Sequence, residues 1–236
     1  MEGIVSGEKM SLWKRLYGVI WGGPARTMED IVQKPASLGA VLLIMAVNIV
    51  LTLMTAPKIK EFTAWTLQNL PGGGKLPAEQ MAIALNAAVI SAVAASVLLP
   101  LIMWVVVAGL LKLFNAFAGE KASFASFFAV SVFGNLPAVL DGIIKTLLVM
   151  LTPAQNMARI SISPVVFLPD PGLFPGKAYV FLSQVDPFIF WALGLTALGA
   201  SIAMRVSFGR VAIYLGSLWL VYALIVTFVS GMGRAA

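Results

Sequence analysis

"MAIALNAAVISAVAASVLLPLIMWVVVAGLL", residues 81–111, carries no charged side chain over its whole length. About 20 apolar residues suffice to cross a hydrocarbon core about 30 Å thick. As a helix this run would extend roughly 45 Å at 1.5 Å per residue. Pro100 lies inside it. Dividing the run into two spans would need a turn, and no Gly/Asn/Pro cluster supplies one. The reading is therefore one long helix, kinked where proline removes a backbone donor. Outward from it lie four more runs of the same kind, giving five spans at about 37–56, 81–114, 123–152, 187–204 and 211–231. The expected fold is all-α: a polytopic bundle of five transmembrane helices over residues 37–231, preceded by a cytoplasmic segment at 1–36.

Composition agrees with that reading. Hydrophobic residues make up 60% of the 236 and charged residues 11%, against roughly 45–50% and about 25% in a soluble domain. There is no cysteine and no histidine, which removes disulfides, thiolate chemistry and the histidine-based metal sites and triads. The net charge of +6 does not point to nucleic acid, because the bases stand at the ends of apolar runs and form no basic face. The first apolar run begins near Ser37, behind Lys9, Lys14, Arg15, Arg26 and Lys34, so no cleavable signal peptide is expected.

The linkers and termini carry further information. Residues 57–80 read as a short amphipathic stretch, "IKEFTAWTLQNL", followed by the flexible "PGGGKLP". Residues 153–186, with Pro153, Pro164, Pro169, Pro171 and Pro175, read as an irregular loop outside the membrane. Near the N-terminus, "LWKRLYGVIW" (12–21) spaces Trp13, Tyr17 and Trp21 along one helical face with Lys14 and Arg15 between them. That pattern predicts an interfacial amphipathic helix, its aromatics at the headgroup level and its bases towards anionic lipid. With the N-terminus inside, nine bases (the five before Ser37, then Lys112, Lys121, Arg205 and Arg210) face six on the other side (Lys58, Lys60, Lys75, Arg159, Lys177 and Arg234). This excess sets the expected orientation: N-terminus cytoplasmic.

Few polar groups interrupt the spans. "LPAVLDGIIKTLLVML" (136–151) holds Asp141 and Lys145, an i,i+4 acid–base pair on one helical face. Ionisable groups within a span often mark a functional path, yet this pair falls late in its span, where Lys145 can reach the membrane boundary and Asp141 can follow it. A structural buckle is the expectation, with a polar site as the alternative. Asn48 and Asn135 are lone amides in spans, of the kind that bridge helices by hydrogen bonding. Small residues recur every four positions at Ala84, Ala88, Ala92 and Ser96, and again at Ala192, Thr196 and Ala200, marking faces for close helix packing. Catalytic motifs fail. "PGGGKL" has Asn69 and Leu76 where a phosphate loop needs Gly and Ser/Thr. Ser11 and Lys14 form an unsupported S-x-x-K. Neither metal nor cofactor is expected.

Three stretches together carry a family resemblance: the proline-flanked approach Pro24 to Pro35; "LFNAFAGEKASFASFFAVSVFGNLPAVL" (113–140); and "VDPFIFWALGLTALGASIAMRVSFGRVAIYL" (185–215). This resembles the Yip family, the Ypt/Rab-interacting membrane proteins, in its prokaryotic branch. The resemblance implies a five-span helical domain with a cytoplasmic N-terminus. Eukaryotic members are associated with Rab GTPases, vesicle traffic and organelle shape; only about 36 residues precede the first span here, in place of their long cytosolic region. The expectation is a non-catalytic scaffold or adaptor in a prokaryotic cytoplasmic membrane. Its partners would be membrane lipids and a membrane protein or a second copy of the chain. A small transporter or channel using Asp141, Lys145, Asn135 and Asn48 is the alternative.

Overall fold

A computed structural model describes residues 9–69, 76–117, 121–169 and 175–232. The glycine-rich linker with Lys75, Pro171 of the proline-rich loop, and Arg234 lie outside them. Within the described residues the chain is helical, with no strand: α1 (Leu12–Ile20), α2 (Pro24–Gln33), α3 (Leu38–Asn69), α4 (Ala78–Phe117), α5 (Phe124–Gly134), α6 (Leu136–Leu151), α7 (Lys177–Ser183), α8 (Pro187–Met204) and α9 (Phe208–Met232). Two short 3₁₀ helices, Ala154–Arg159 and Pro164–Phe167, lie between α6 and α7. Among the described residues, five helical stretches are long and apolar enough to cross a membrane, α5 and α6 counting as one.

The long uncharged run is one helix, α4, with Pro100 inside it. Its 40 residues measure about 60 Å, and the 32 of α3 about 48 Å. Both exceed a hydrocarbon core of about 30 Å, so the paired helices continue past it as a hairpin. Here the reading of residues 57–80 as a linker needs correction. α3 runs through Pro57 to Asn69, and the "IKEFTAWTLQN" stretch is its continuation. A Lys58–Glu61 ion pair one turn apart and a hydrogen bond from Lys60 Nζ to Asn86 Oδ1 on α4, 2.9 Å, accompany the extension.

The third span is also different from the single helix expected. It breaks at Asn135, where φ and ψ are −84° and 2°. Pro137 has no N–H to offer the carbonyl of Phe133, so the ladder opens one turn upstream of the proline. The two halves have different surroundings. α5 is the most enclosed helix, with Phe127 and everything from Ala129 to Gly134 buried. α6 exposes Ile143, Ile144, Leu147 and Leu148 along one side.

Small residues let α8 lie close to α5. A Cβ on Gly134 would strike Thr196, including its backbone, and one on Gly199 would come within 2.8 Å of Val130 Cγ1. Ala192, Thr196 and Ala200 are buried as their spacing suggested. The core divides into two neighbouring clusters. Val19, Met28, Ile31, Ile44, Trp104, Phe133 and Leu195 centre one, and Leu111, Phe127, Val130, Met204 and Val211 the other. Since α1 and α2 supply Val19, Met28 and Ile31, the N-terminal segment is packed onto the bundle rather than lying free of it. α8 ends on Arg205, in the left-handed region at φ 53°. Val206 N–H donates to Ser201 O at 3.1 Å, closing the helix with a Schellman-type turn.

Candidate functional site

The polar constellation within the membrane domain is built from two helices. α6 holds Asp141 and Lys145 one turn apart, and Lys145 Nζ donates to Asp141 Oδ2 at 2.7 Å. α8 adds a third member. Asp186 caps its N-terminus: Pro187 occupies the first helical turn, and Phe188 N–H donates to Asp186 Oδ1 at 2.8 Å. The other carboxylate oxygen, Oδ2, accepts from Lys145 Nζ at 3.0 Å. One ammonium therefore joins two carboxylates and fastens α6 to α8, leaving a formal charge of −1 on the cluster. Side-chain exposure falls from 34% for Lys145 to 17% for Asp141 and 3% for Asp186. Asp141 Oδ1 is fully buried with no hydrogen-bond partner among the described residues.

Asp186 was not legible as a member. An acid before Pro at a helix start signals an N-cap, but nothing in the sequence reports an ion pair with a lysine 41 residues away. Asp186 stands immediately before Pro187, where a stretch apolar enough to span a membrane begins, so the cluster lies at the end of that stretch.

The two amides do not join this cluster. Asn48 bridges helices: its Nδ2 donates to Ser96 O on α4 at 3.2 Å. It lines a cleft of about 180 Å³ with Leu51, Thr52, Thr55, Ser96, Gly142 and Thr146, between α3, α4 and α6. Gly142 and Thr146 each follow a cluster residue, so the cleft and the ion pairs use different sides of α6. Much of its polar lining is satisfied locally. Thr52 and Thr55 donate to carbonyls one turn back on α3, and Ser96 donates to Val93 O. Asn135 stands at the break between α5 and α6, about 9 Å along the axis from Asp141. Its backbone N–H donates to Ser131 O and its carbonyl accepts from Ala138.

At the N-terminus, α1 and its C-cap residue Trp21 turn three aromatics outward, Trp13, Tyr17 and Trp21 at 68%, 64% and 69% exposure, and Lys14 is exposed beside them. Arg15 departs from the expected lipid-facing role. It is buried at 1%, with its Nε donating to Asp30 Oδ2 at 2.7 Å. Nη2 donates to Asp30 O and Lys34 O, and Nη1 to Ala36 O. The carbonyls ending a helix have no intrahelical donor, and a planar guanidinium can serve several of them at once. Arg15 thus closes the C-terminus of α2 and ties α1 to the approach to α3. Gly18 completes the crossing, since a Cβ there would collide with Thr27 Oγ1.

Comparison with known proteins agrees with this architecture. A family profile described as the Yip1 domain matches residues 19–230 of the 236. No curated protein and no solved structure matches the chain. The matched region takes in α2 to α9 almost completely, including both helices of the ion cluster, and the chain is an integral membrane protein that belongs to the Yip1 domain family.

Proposed function

We propose that the protein is a non-catalytic membrane scaffold or adaptor that binds membrane protein partners or lipids, set in a prokaryotic cytoplasmic membrane with its N-terminus cytoplasmic. The observation that supports this most is the closed ion cluster. Lys145 is held by both Asp141 and Asp186 at hydrogen-bond distance, and the residues lining the neighbouring cleft include none of the three charges. A group meant to bind and release a solute needs a state in which it is open to that solute; here the charged groups bind one another. On this reading Trp13, Tyr17 and Trp21 lie at the headgroup level and anchor the packed N-terminal helices to the bilayer surface.

A small transporter or channel is the second reading. It draws on the cleft containing Asn48, Ser96 and Thr146 beside the cluster. The two separate by experiment. The full chain is extracted into native-lipid particles and purified by affinity, with co-purifying proteins and small molecules identified, and the same protein is reconstituted into liposomes for solute flux. Reproducible capture of a membrane protein or lipid without flux supports the scaffold. A co-purified solute that also crosses the reconstituted bilayer refutes it.

A further inference from the structure

A second cavity, of about 310 Å³, lies between the start of α1 and the start of α3, lined by Lys9, Met10, Leu12, Arg15, Ala36, Leu38 and Gly39. Its lining is of two kinds. Lys9 and Arg15 are cationic, while Met10, Leu12 and Leu38 are apolar. Among the described residues Asp30 neutralises Arg15, which leaves the lining with the positive charge of Lys9. Arg15 has five N–H donors. Four have acceptors in Asp30 Oδ2, Asp30 O, Lys34 O and Ala36 O, which leaves one on Nη1 without an acceptor among the described residues. The apolar side does not end at the cavity. Leu38 and Leu42, one turn apart on α3, are 71% and 58% exposed and continue down a helix that is apolar enough to cross the membrane.

We propose that this cavity binds one anionic phospholipid, its phosphate held by Lys9 and Arg15 and an acyl chain lying along Leu38 and Leu42. Free phosphate would use the bases but leave the apolar half of the cavity uncovered. A zwitterionic lipid would gain less from the net positive charge. The site sits where a headgroup belongs, beside the outward aromatics Trp13 and Tyr17 and at the first turn of the first spanning helix. It rests on the proposed placement of the N-terminal helices at the bilayer surface.

The test uses the full chain in detergent, mixed with dioleoylphosphatidylglycerol or dioleoylphosphatidylcholine and weighed intact by native mass spectrometry. Wild type retains one phosphatidylglycerol in preference to phosphatidylcholine. Lys9 is exposed, so Lys9→Gln leaves the fold alone; it weakens retention about five-fold, the value of one base near an anionic headgroup. Leu38→Glu, which puts a negative charge at another exposed wall, weakens it further. Arg26→Gln, which removes an exposed base on α2 outside the cavity lining, leaves it unchanged. Equal retention of the two lipids overturns the proposal. So does an equal loss in Lys9→Gln and Arg26→Gln, which would mean diffuse attraction, or displacement of the lipid by inorganic phosphate. Solute flux distinguishes this failure from that of the scaffold reading: a chain that transports solute while retaining the lipid loses the scaffold and keeps the site.

Discussion

Replacing Lys145 with methionine should damage the protein far more than replacing either acid that it touches, and charge counting shows why. The native cluster has two carboxylates and one ammonium, a formal −1. Asp141→Asn and Asp186→Asn each bring it to zero and leave Lys145 with one partner. Asparagine is also a good N-cap, so Asp186→Asn keeps the start of α8 closed. Lys145→Met instead leaves two carboxylates, one of them only 3% exposed, with Asp141 Oδ1 already lacking a partner. Stranding a charge by removing its buried partner costs about 3–5 kcal/mol. Lys145 is 34% exposed, so water recovers part of this, and a loss of about 2–3 kcal/mol is expected. Each acid-to-amide change should cost under about 1 kcal/mol. The triple variant Asp141→Asn/Lys145→Met/Asp186→Asn should be more stable than Lys145→Met alone, since no charge is left stranded. The assay is unfolding in a mild detergent, followed by tryptophan fluorescence and by loss of the monodisperse species on heating. Equal destabilisation by all three single changes, or a triple variant no better than Lys145→Met, would refute the reasoning.

Other consequences are simpler. Gly134→Ala should destabilise by about 1–3 kcal/mol through overpacking against Thr196, whereas Gly216→Ala, with open space around it, should be neutral or stabilising; thermal scans of both check this. Arg15→Lys should detach α1 from α2, because a single ammonium cannot serve the acceptors spread over Asp30, Lys34 and Ala36; faster hydrogen exchange confined to residues 12–33 is the expected reading. Replacing Trp13, Tyr17 and Trp21 with alanine should reduce immersion of α1 in anionic bilayers while leaving it docked through Arg15 and Val19; unchanged immersion of a spin label placed at Lys14 would sink the interfacial assignment. Topology reporters placed after Lys34 and in the Arg205–Arg210 turn should read cytoplasmic, and one in the 164–175 loop external; a cytoplasmic loop would reverse the orientation.

What could be seen in the sequence follows from the range of the interactions concerned. Long uncharged runs are short-range signals, so α4 is one helix across Pro100, and α8 spans Pro187 to Met204, the bounds of its apolar run. The small-residue face of α8 was readable for the same reason, although that it meets Gly134 was not. Hydropathy alone could not show that α3 continues past Pro57, because a helix leaving the hydrocarbon looks like a linker once charges appear. Nor could it show the break at Asn135, since a proline in a span can kink a helix or divide it, and packing decides. The ion pairs were hidden by distance. Asp141 and Lys145 are four residues apart and were found, whereas Asp186 lies 41 residues from Lys145 and Asp30 lies 15 from Arg15. Arg15 was misplaced because helical spacing puts it near the polar border of α1, and only α2 folding back turns that border inward.

Water access to the membrane domain bears most directly on whether this protein joins partners or moves solutes. The chain has no cysteine, so Thr52→Cys and Thr146→Cys each introduce a single thiol into the cleft beside the ion cluster. The protein is reconstituted into liposomes, and a membrane-impermeant thiol reagent is applied from each side in turn, with Glu79→Cys at the exposed start of α4 as the reference. A scaffold whose cleft is sealed by lipid and neighbouring helices predicts modification from either side about 100-fold slower than the reference, because the reacting thiolate requires water. Rapid modification of both cleft positions from one side, or from each side in turn, would reveal an aqueous path into the membrane domain between α3, α4 and α6 and contradict the scaffold.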